Sequence, residues 1–136
     1  MNRLRQRIIR PLSQCDVMRD PIISDNSSTL FDAVASSLCL EAACPTLSDF
    51  KSSINRIASM IKMEGYFFLV TILGETFYRF DDTTFPCLKL EKVDVEQSLE
   101  EAGFAVVKSF HLPVERNTME SSDFDGVLVS LSKKIA

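Results

Sequence analysis

Residues 66–78 read "YFFLVTILGETFY". Eight uncharged, mostly apolar residues stop abruptly at Gly74, and a carboxylate follows at once, beside the aromatic rings of Phe77 and Tyr78. A run of this length, rich in aromatic and β-branched residues, predicts a strand rather than a helix. Its lack of alternation predicts burial on both faces, as in an internal strand of a parallel sheet.

Upstream, Thr46 and Asp49 have capping-box spacing, with Asp in place of the usual Glu. Leu47, Phe50, Ile54, Ile57 and Ile61 keep one face at 3–4 spacing, and Gly65 stands where a C-terminal cap belongs. Before that helix, "LFDAVASSLCL" (30–40) reads as a buried strand with Asp32 at its entry, and "SQCDV" (13–17) as a short strand end. "MRDPIISDNSST" (18–29) is polar and turn-rich, a surface loop. Leu4, Ile8 and Ile9 among arginines predict a short amphipathic helix stopped near Pro11.

Downstream, "TFYRF" and "TFPCLKL" flank "DDT" as an excursion or a hairpin. Val95, Leu99 and Ala102 stripe a second helix closed by Gly103. "FAVVKSFHL" (104–112) and "DGVLVSLSKK" (125–134) finish as two strands joined by a polar loop. The order strand, helix, strand, helix, strand, strand predicts an α/β fold: an open sheet with central parallel strands, covered by helices and closed by an antiparallel hairpin. In such sheets ligands dock beyond the carboxyl ends of the strands. Cys15-Asp16-Val17, Leu38 to Glu41, and Gly74-Glu75-Thr76 all fall at those ends, so Glu75 is carried to a ligand-binding rim.

The 136 residues are 46% hydrophobic and 25% charged, enough apolar material for one core. A net charge of −4 argues against a nucleic-acid partner held through phosphates. No apolar stretch approaches the ~20 residues that span a bilayer, so no membrane partner is expected. Cys15, Cys39, Cys44 and Cys87 form no C-x-x-C pair and His111 is the only histidine, so no metal site is expected. Read as reduced thiols, the cysteines fit a cytoplasmic protein. The four glycines, Gly65, Gly74, Gly103 and Gly126, contain no G-x-G pattern. The Gly-rich turn that opens a nucleotide-binding α/β fold is therefore not among these residues.

"SQCDV", "SSLCLEAACPTLSDF", "IKMEGYFFLV" and "LGETFY" resemble, in order and spacing, the C-terminal half of the small-molecule amine methyltransferases. That family includes the nicotinamide, phenylethanolamine and indolethylamine/thioether enzymes. The resemblance runs from about Leu4 to the last strand. It implies a single domain over 1–136 carrying part of a Rossmann-like class I methyltransferase sheet, without the N-terminal Gly-rich half. It also implies S-adenosyl-L-methionine as cofactor and a small-molecule amine as substrate. By resemblance, Asp16 and Val17 match the pair at the adenine, Ser37 a small hydroxyl residue lining the cofactor cavity, and Ala43 an alanine beside the same ligand. Glu41 and Glu75 match the two glutamates that hold the amine. Leu38, Tyr78, Cys87 and Asp123 fall on the substrate side. Thr71 replaces an aspartate that recognises the carboxamide in the nicotinamide enzyme, and Cys87 a serine, so nicotinamide is not the expected acceptor.

The chemistry asked of such a site is alignment of donor and acceptor, plus carboxylates that stabilise the charge the attacking nitrogen acquires. Aromatic faces from Phe77 or Tyr78 add cation–π attraction. From spacing alone, Glu41 is equally a helix-start acid favoured by the dipole, and Glu75 a solvated turn residue. A different class of function stands beside catalysis. Cutting an open sheet through its centre leaves an apolar edge, which suits self-association or a non-catalytic domain that binds another protein.

Overall fold

The computed structural model describes residues 13–24, 29–115 and 120–136; the amphipathic helix expected around Leu4–Ile9 lies outside them. The chain forms β1 (Phe31–Ser37), a one-turn helix α1 (Leu40–Ala43), α2 (Leu47–Ser59), β2 (Ile61–Leu73) and the hairpin strands β3 (Phe77–Phe80) and β4 (Thr83–Pro86). α3 (Lys92–Glu101), β5 (Phe104–Pro113) and β6 (Gly126–Lys134) follow. The main sheet has the order β1-β2-β6-β5; β1 runs parallel to β2, while β6 is antiparallel to both β2 and β5. This is the expected α/β architecture, with the last strand inserted beside β2 rather than added outside β5. Of the two readings of residues 76–90, excursion or hairpin, the hairpin forms: β3 and β4 make a separate two-stranded sheet.

α2 starts where the sequence indicates: the Thr46 hydroxyl oxygen accepts the Asp49 N–H at 3.1 Å and donates to the Asp49 carboxylate at 2.6 Å. It ends earlier than expected. Met60 caps it, and Ile61 begins β2 instead of continuing the helix face. The ammonium of Lys134 donates to the carbonyls of Ala58 and Ile61 at 2.7 and 2.9 Å, closing the helix C-terminus from the last strand. Gly65 is no helix cap. A Cβ there would lie 2.6 Å from Ile61 Cγ2 and 2.8 Å from the carbonyl oxygens of Asp32 and Lys62, so the close approach of β1 and β2 requires glycine. α3 carries a capping box between Glu91 and Asp94, and its stripe of Val95 and Leu99 is buried.

Phe50, Ile54 and Ile57 of α2, with Val95 and Leu99 of α3, pack on one face of the sheet against Phe67, Leu69, Phe104 and Leu128. The other face differs from expectation. β2 alternates instead of being buried on both sides: Tyr66 and Phe68 are 40% and 42% exposed, and Phe110 and Leu112 of β5 more than half. Among the described residues no second layer covers that face, and β1, expected to be buried, is a largely exposed edge strand. Residues 13–17 form a turn with one antiparallel bridge, Cys15 to Ile23, in place of the expected strand end. This turn is fastened to α2, since Val17 O accepts from Ser53 Oγ at 3.1 Å and from Arg56 Nη1 at 3.0 Å.

Candidate active site

The carboxyl ends of β1 and β2 point the same way because the strands are parallel, and the two glutamates lie just beyond them. Leu38 leaves β1 with its N–H on Val70 O at 2.9 Å and a left-handed backbone, φ 51°, a conformation a leucine adopts only under constraint. That turn starts α1, so Glu41 sits in the first turn of a helix rather than on the strand end itself. The other glutamate, Glu75, follows Gly74, whose φ of 73° turns the chain at the end of β2.

Glu41 is 2% exposed. One carboxylate oxygen, Oε1, accepts the Ile72 N–H at 3.1 Å; the other, Oε2, is buried with no well-formed hydrogen bond, as is the adjoining hydroxyl of Thr71 on β2. Burial pushes the Glu41 carboxyl above the usual range, the N–H groups of Glu41 and Ile72 and the Thr71 hydroxyl oppose this, and the nearby Glu75 charge adds to it. Glu75 is 8% exposed, and its Oε1 accepts a 2.5 Å hydrogen bond from Ser122 Oγ. Ser122 Oγ in turn accepts the Phe124 N–H at 3.3 Å. The two carboxylates share a cavity of about 330 Å³ with Leu38, Ile72, Tyr78 and Phe124. Tyr78 is braced by stacking on Phe85, with centroids 5.2 Å apart. A largely apolar chamber with two carboxylates and no cation in its wall suits a small organic cation or amine.

Leu38, Glu41, Glu75 and Tyr78 are thus brought together. Asp123 is not. Cys87 does not line the cavity but adjoins both glutamates: its thiol is 3.5 Å from Glu41 O, and burial, then Glu75, holds it far above its ordinary range, so it stays protonated. Asp123 accepts from the Thr76 N–H at 2.8 Å, the Thr76 hydroxyl at 2.5 Å and the Phe77 N–H at 3.3 Å. Its slight burial works upward, but those donors hold the Asp123 carboxyl below the usual range. It faces a neighbouring, more polar cavity of about 450 Å³, where it pins the start of β3.

Of the residues expected at a cofactor, Ser37 is exposed at the end of β1 and Ala43 half-buried at the end of α1. Asp16 and Val17 occupy the neighbouring turn. Ser53 links that turn to α1, because its hydroxyl reaches both Val17 O and the Cys44 thiol, 3.4 Å away. Asp16 Oδ1 accepts the Met18 N–H at 3.0 Å and Oδ2 pairs with Arg19, leaving one lone pair free on each oxygen. Sequence reasoning missed Ser122, Ile72 and Phe124. The single signal for them was an apolar Phe124 between two aspartates in a loop otherwise polar.

A profile of the NNMT/PNMT/TEMT family matches residues 1–135. Indolethylamine N-methyltransferase of Mus musculus is 30% identical over 106 residues, 78% of this chain and 40% of the relative. Nicotinamide N-methyltransferase of Homo sapiens is 25% identical across 98% of this chain and 50% of its own length. The chain therefore spans about half the length of the curated relatives it matches. In structure it is similar to an S-adenosylmethionine-dependent methyltransferase from Clostridium acetobutylicum, with TM-score 0.65 and 14% identity over 99% of this chain and 69% of that one. A methyltransferase from Methanosarcina mazei gives a TM-score of 0.63 at 15% identity, covering 81% and 63%. These likenesses show the Rossmann-like methyltransferase fold expected from the sequence.

Proposed function

The chain belongs to the NNMT/PNMT/TEMT family, and from that premise we propose that it supplies the acceptor site of an S-adenosylmethionine-dependent methyltransferase acting on the nitrogen of a small-molecule amine. The observation that carries this reading is Glu41: a buried carboxylate with an unpartnered oxygen, beside Glu75 in a cavity of substrate size. Such a group costs stability unless a ligand satisfies it.

Asp16, Val17, Ser37 and Ala43, matched through the family, would hold the adenine end of the cofactor, and Asp16, with one partner on each oxygen, retains acceptor capacity for an amino group. When bound there, S-adenosylmethionine would supply an electrophilic sulfonium methyl. The chain's own residues handle the acceptor. Glu75, with one oxygen held by Ser122, orients the amine through the other. Glu41, whose proton affinity is raised by burial, takes the proton that frees the nitrogen lone pair. Tyr78 and Leu38 enclose the organic body and exclude water. Thr71 and Cys87, uncharged under these conditions, supply no charged recognition of a carboxamide, which favours an amine other than nicotinamide.

The described residues are read as one domain. The free edge of β1 and the exposed apolar face suit self-association, which sedimentation of the purified chain tests; a monomer throughout the micromolar range removes that part. No helix among the described residues is long and apolar enough to cross a membrane. The four free cysteines support a cytoplasmic site, testable by fractionation.

The test of function is transfer of labelled methyl from S-adenosylmethionine to a panel of primary and secondary amines by the whole chain. Transfer lost in Glu41→Gln and Glu75→Gln supports the reading. Transfer unchanged by both substitutions overturns the assignment of these residues, and no transfer to any amine overturns activity of this chain by itself.

A further inference from the structure

The loop of residues 121–125 runs antiparallel to the chain between Leu73 and Arg79. Arg79 N donates to Ser121 O at 2.6 Å, Tyr78 and Ser122 form a bridge, and Asp125 N donates to Leu73 O at 2.9 Å. Between these anchors Thr76 and Phe77 find their acceptors on a side chain. Asp123 Oδ1 accepts the N–H of Thr76 at 2.8 Å and that of Phe77 at 3.3 Å, while Oδ2 accepts the Thr76 hydroxyl at 2.5 Å. Glu75 immediately precedes Thr76, and Ser122 immediately precedes Asp123. These two neighbours meet in the 2.5 Å hydrogen bond from Ser122 Oγ to Glu75 Oε1. The clamp and the bond within the site therefore join the same two segments, one residue apart on each. On its other flank the turn is held by the Gly74 N–H on Leu90 O at 3.0 Å and the Cys87 N–H on Thr76 O at 2.9 Å. Those bonds tie it to residues 87–90, and Asp123 ties it to the loop that carries Ser122.

We propose that Asp123 is a positioning residue for Glu75: its clamp on Thr76 and Phe77 keeps the Glu75 carboxylate in register with Ser122, so that one oxygen is occupied and the other is presented to the amine. This rests on the reading that the Glu41–Glu75 cavity binds an amine. A glutamate has several torsions to freeze before it can present one oxygen in a fixed direction, and a small misplacement is felt strongly. Asp123 lines the neighbouring cavity and not this one, so its effect on a bound amine passes through Glu75. What Asp123 supplies is acceptor geometry. Asparagine in its place keeps an oxygen for the two N–H groups and turns an amide donor towards the Thr76 hydroxyl, which can accept it. A charge acting at a distance would not survive that exchange.

The test is calorimetric titration of benzylamine into the whole chain at one pH, for the wild type, Asp123→Ala, Asp123→Asn, Ser122→Ala and Ser122→Ala/Asp123→Ala. Thermal unfolding checks folding, and the Glu75 Cδ resonance of the free protein, read by NMR, reports its hydrogen bonding. Asp123→Ala is expected to weaken binding by on the order of tenfold and to move the Glu75 Cδ resonance towards its position in Ser122→Ala. Asp123→Asn should stay within about threefold of the wild type. The double variant should bind no more weakly than the weaker single variant, because both changes release the same carboxylate. Thr76→Val, which removes the hydroxyl and keeps the N–H, should weaken binding by a smaller factor that Thr76→Ser restores; this pair carries the test if the alanine variant does not fold. Wild-type affinity in folded Asp123→Ala, equal losses in Asp123→Ala and Asp123→Asn, or additive losses in the double variant each overturns the role of Asp123 while the amine site stands. Failure of benzylamine to bind the wild type overturns the amine reading and this inference with it.

Discussion

Glu41→Gln should make the protein more stable at pH 8 while removing the group on which the proposed chemistry depends. In the folded chain one carboxylate oxygen keeps its bond to the Ile72 N–H, and the other is buried at the cavity wall with no well-formed hydrogen bond. Burial raises this carboxyl from its ordinary value of 4.5, so the folded state holds the proton more tightly than the unfolded state does. Stability from this group is therefore fully present below the unfolded value. It falls as pH rises through the folded value, and stays lost above it. An unsatisfied buried acceptor costs ~1–3 kcal/mol, more when charged. Glutamine retains the Ile72 bond but leaves its own amide without a partner, so the recovered part is ~1–2 kcal/mol at pH 8. For a chain of this size that corresponds to a rise in Tm of roughly 3–8 °C. Urea unfolding at pH 8 and pH 4 reads the effect, and the difference between variant and wild type should shrink towards zero at pH 4, where both states carry the proton. A variant no more stable than the wild type at pH 8, or one equally favoured at both pH values, refutes the reasoning.

Three other substitutions probe the supports of the site. Ser122→Ala removes the donor that fixes Glu75 Oε1 and should weaken amine binding several-fold, with Ser122→Thr restoring most of it, as read by calorimetric titration. Lys134→Met leaves the Ala58 and Ile61 carbonyls without their charged donor and should cost about 2 kcal/mol in urea unfolding; a loss under 0.5 kcal/mol would mean solvent replaces the ammonium. Gly65→Ala places a methyl against Ile61 and two carbonyl oxygens, so it should lower stability by ~1–3 kcal/mol by the same assay instead of adding the small gain alanine gives in an ordinary strand.

What could be read beforehand was local. Thr46 and Asp49 mark the start of α2 by a contact three residues long, and the uncharged run after Tyr66 marks β2. The end of α2 was illegible for a physical reason. Ile61 continues the helical spacing and Gly65 imitates a cap, but the boundary is set by Lys134, more than seventy residues away, and by the pairing of Phe31 with Ile61. The expected burial of β1 and of both faces of β2 failed because, among the described residues, the helices cover one face of the sheet and β1 is its edge. Strand order carried both carboxylates to the ligand-binding rim, but their pairing as an amine site came from the family resemblance, since spacing left Glu41 a helix-start acid, and in the structure it is one as well as lining the cavity with Glu75. Ser122 and Phe124 reach the site across a loop whose composition says only that it is polar. Of the residues placed by resemblance on the substrate side, Cys87 adjoins the two glutamates from outside the cavity and Asp123 lines the neighbouring one.

The most direct test of the central claim is calorimetric titration of an amine into the whole chain in the presence of S-adenosylhomocysteine, for the wild type and for Glu41→Gln/Glu75→Gln. Saturable binding of benzylamine by the wild type, lost in the folded double variant, is the result predicted. Equal binding by both proteins, or none by a folded wild type, would contradict the claim that these two carboxylates form an amine site.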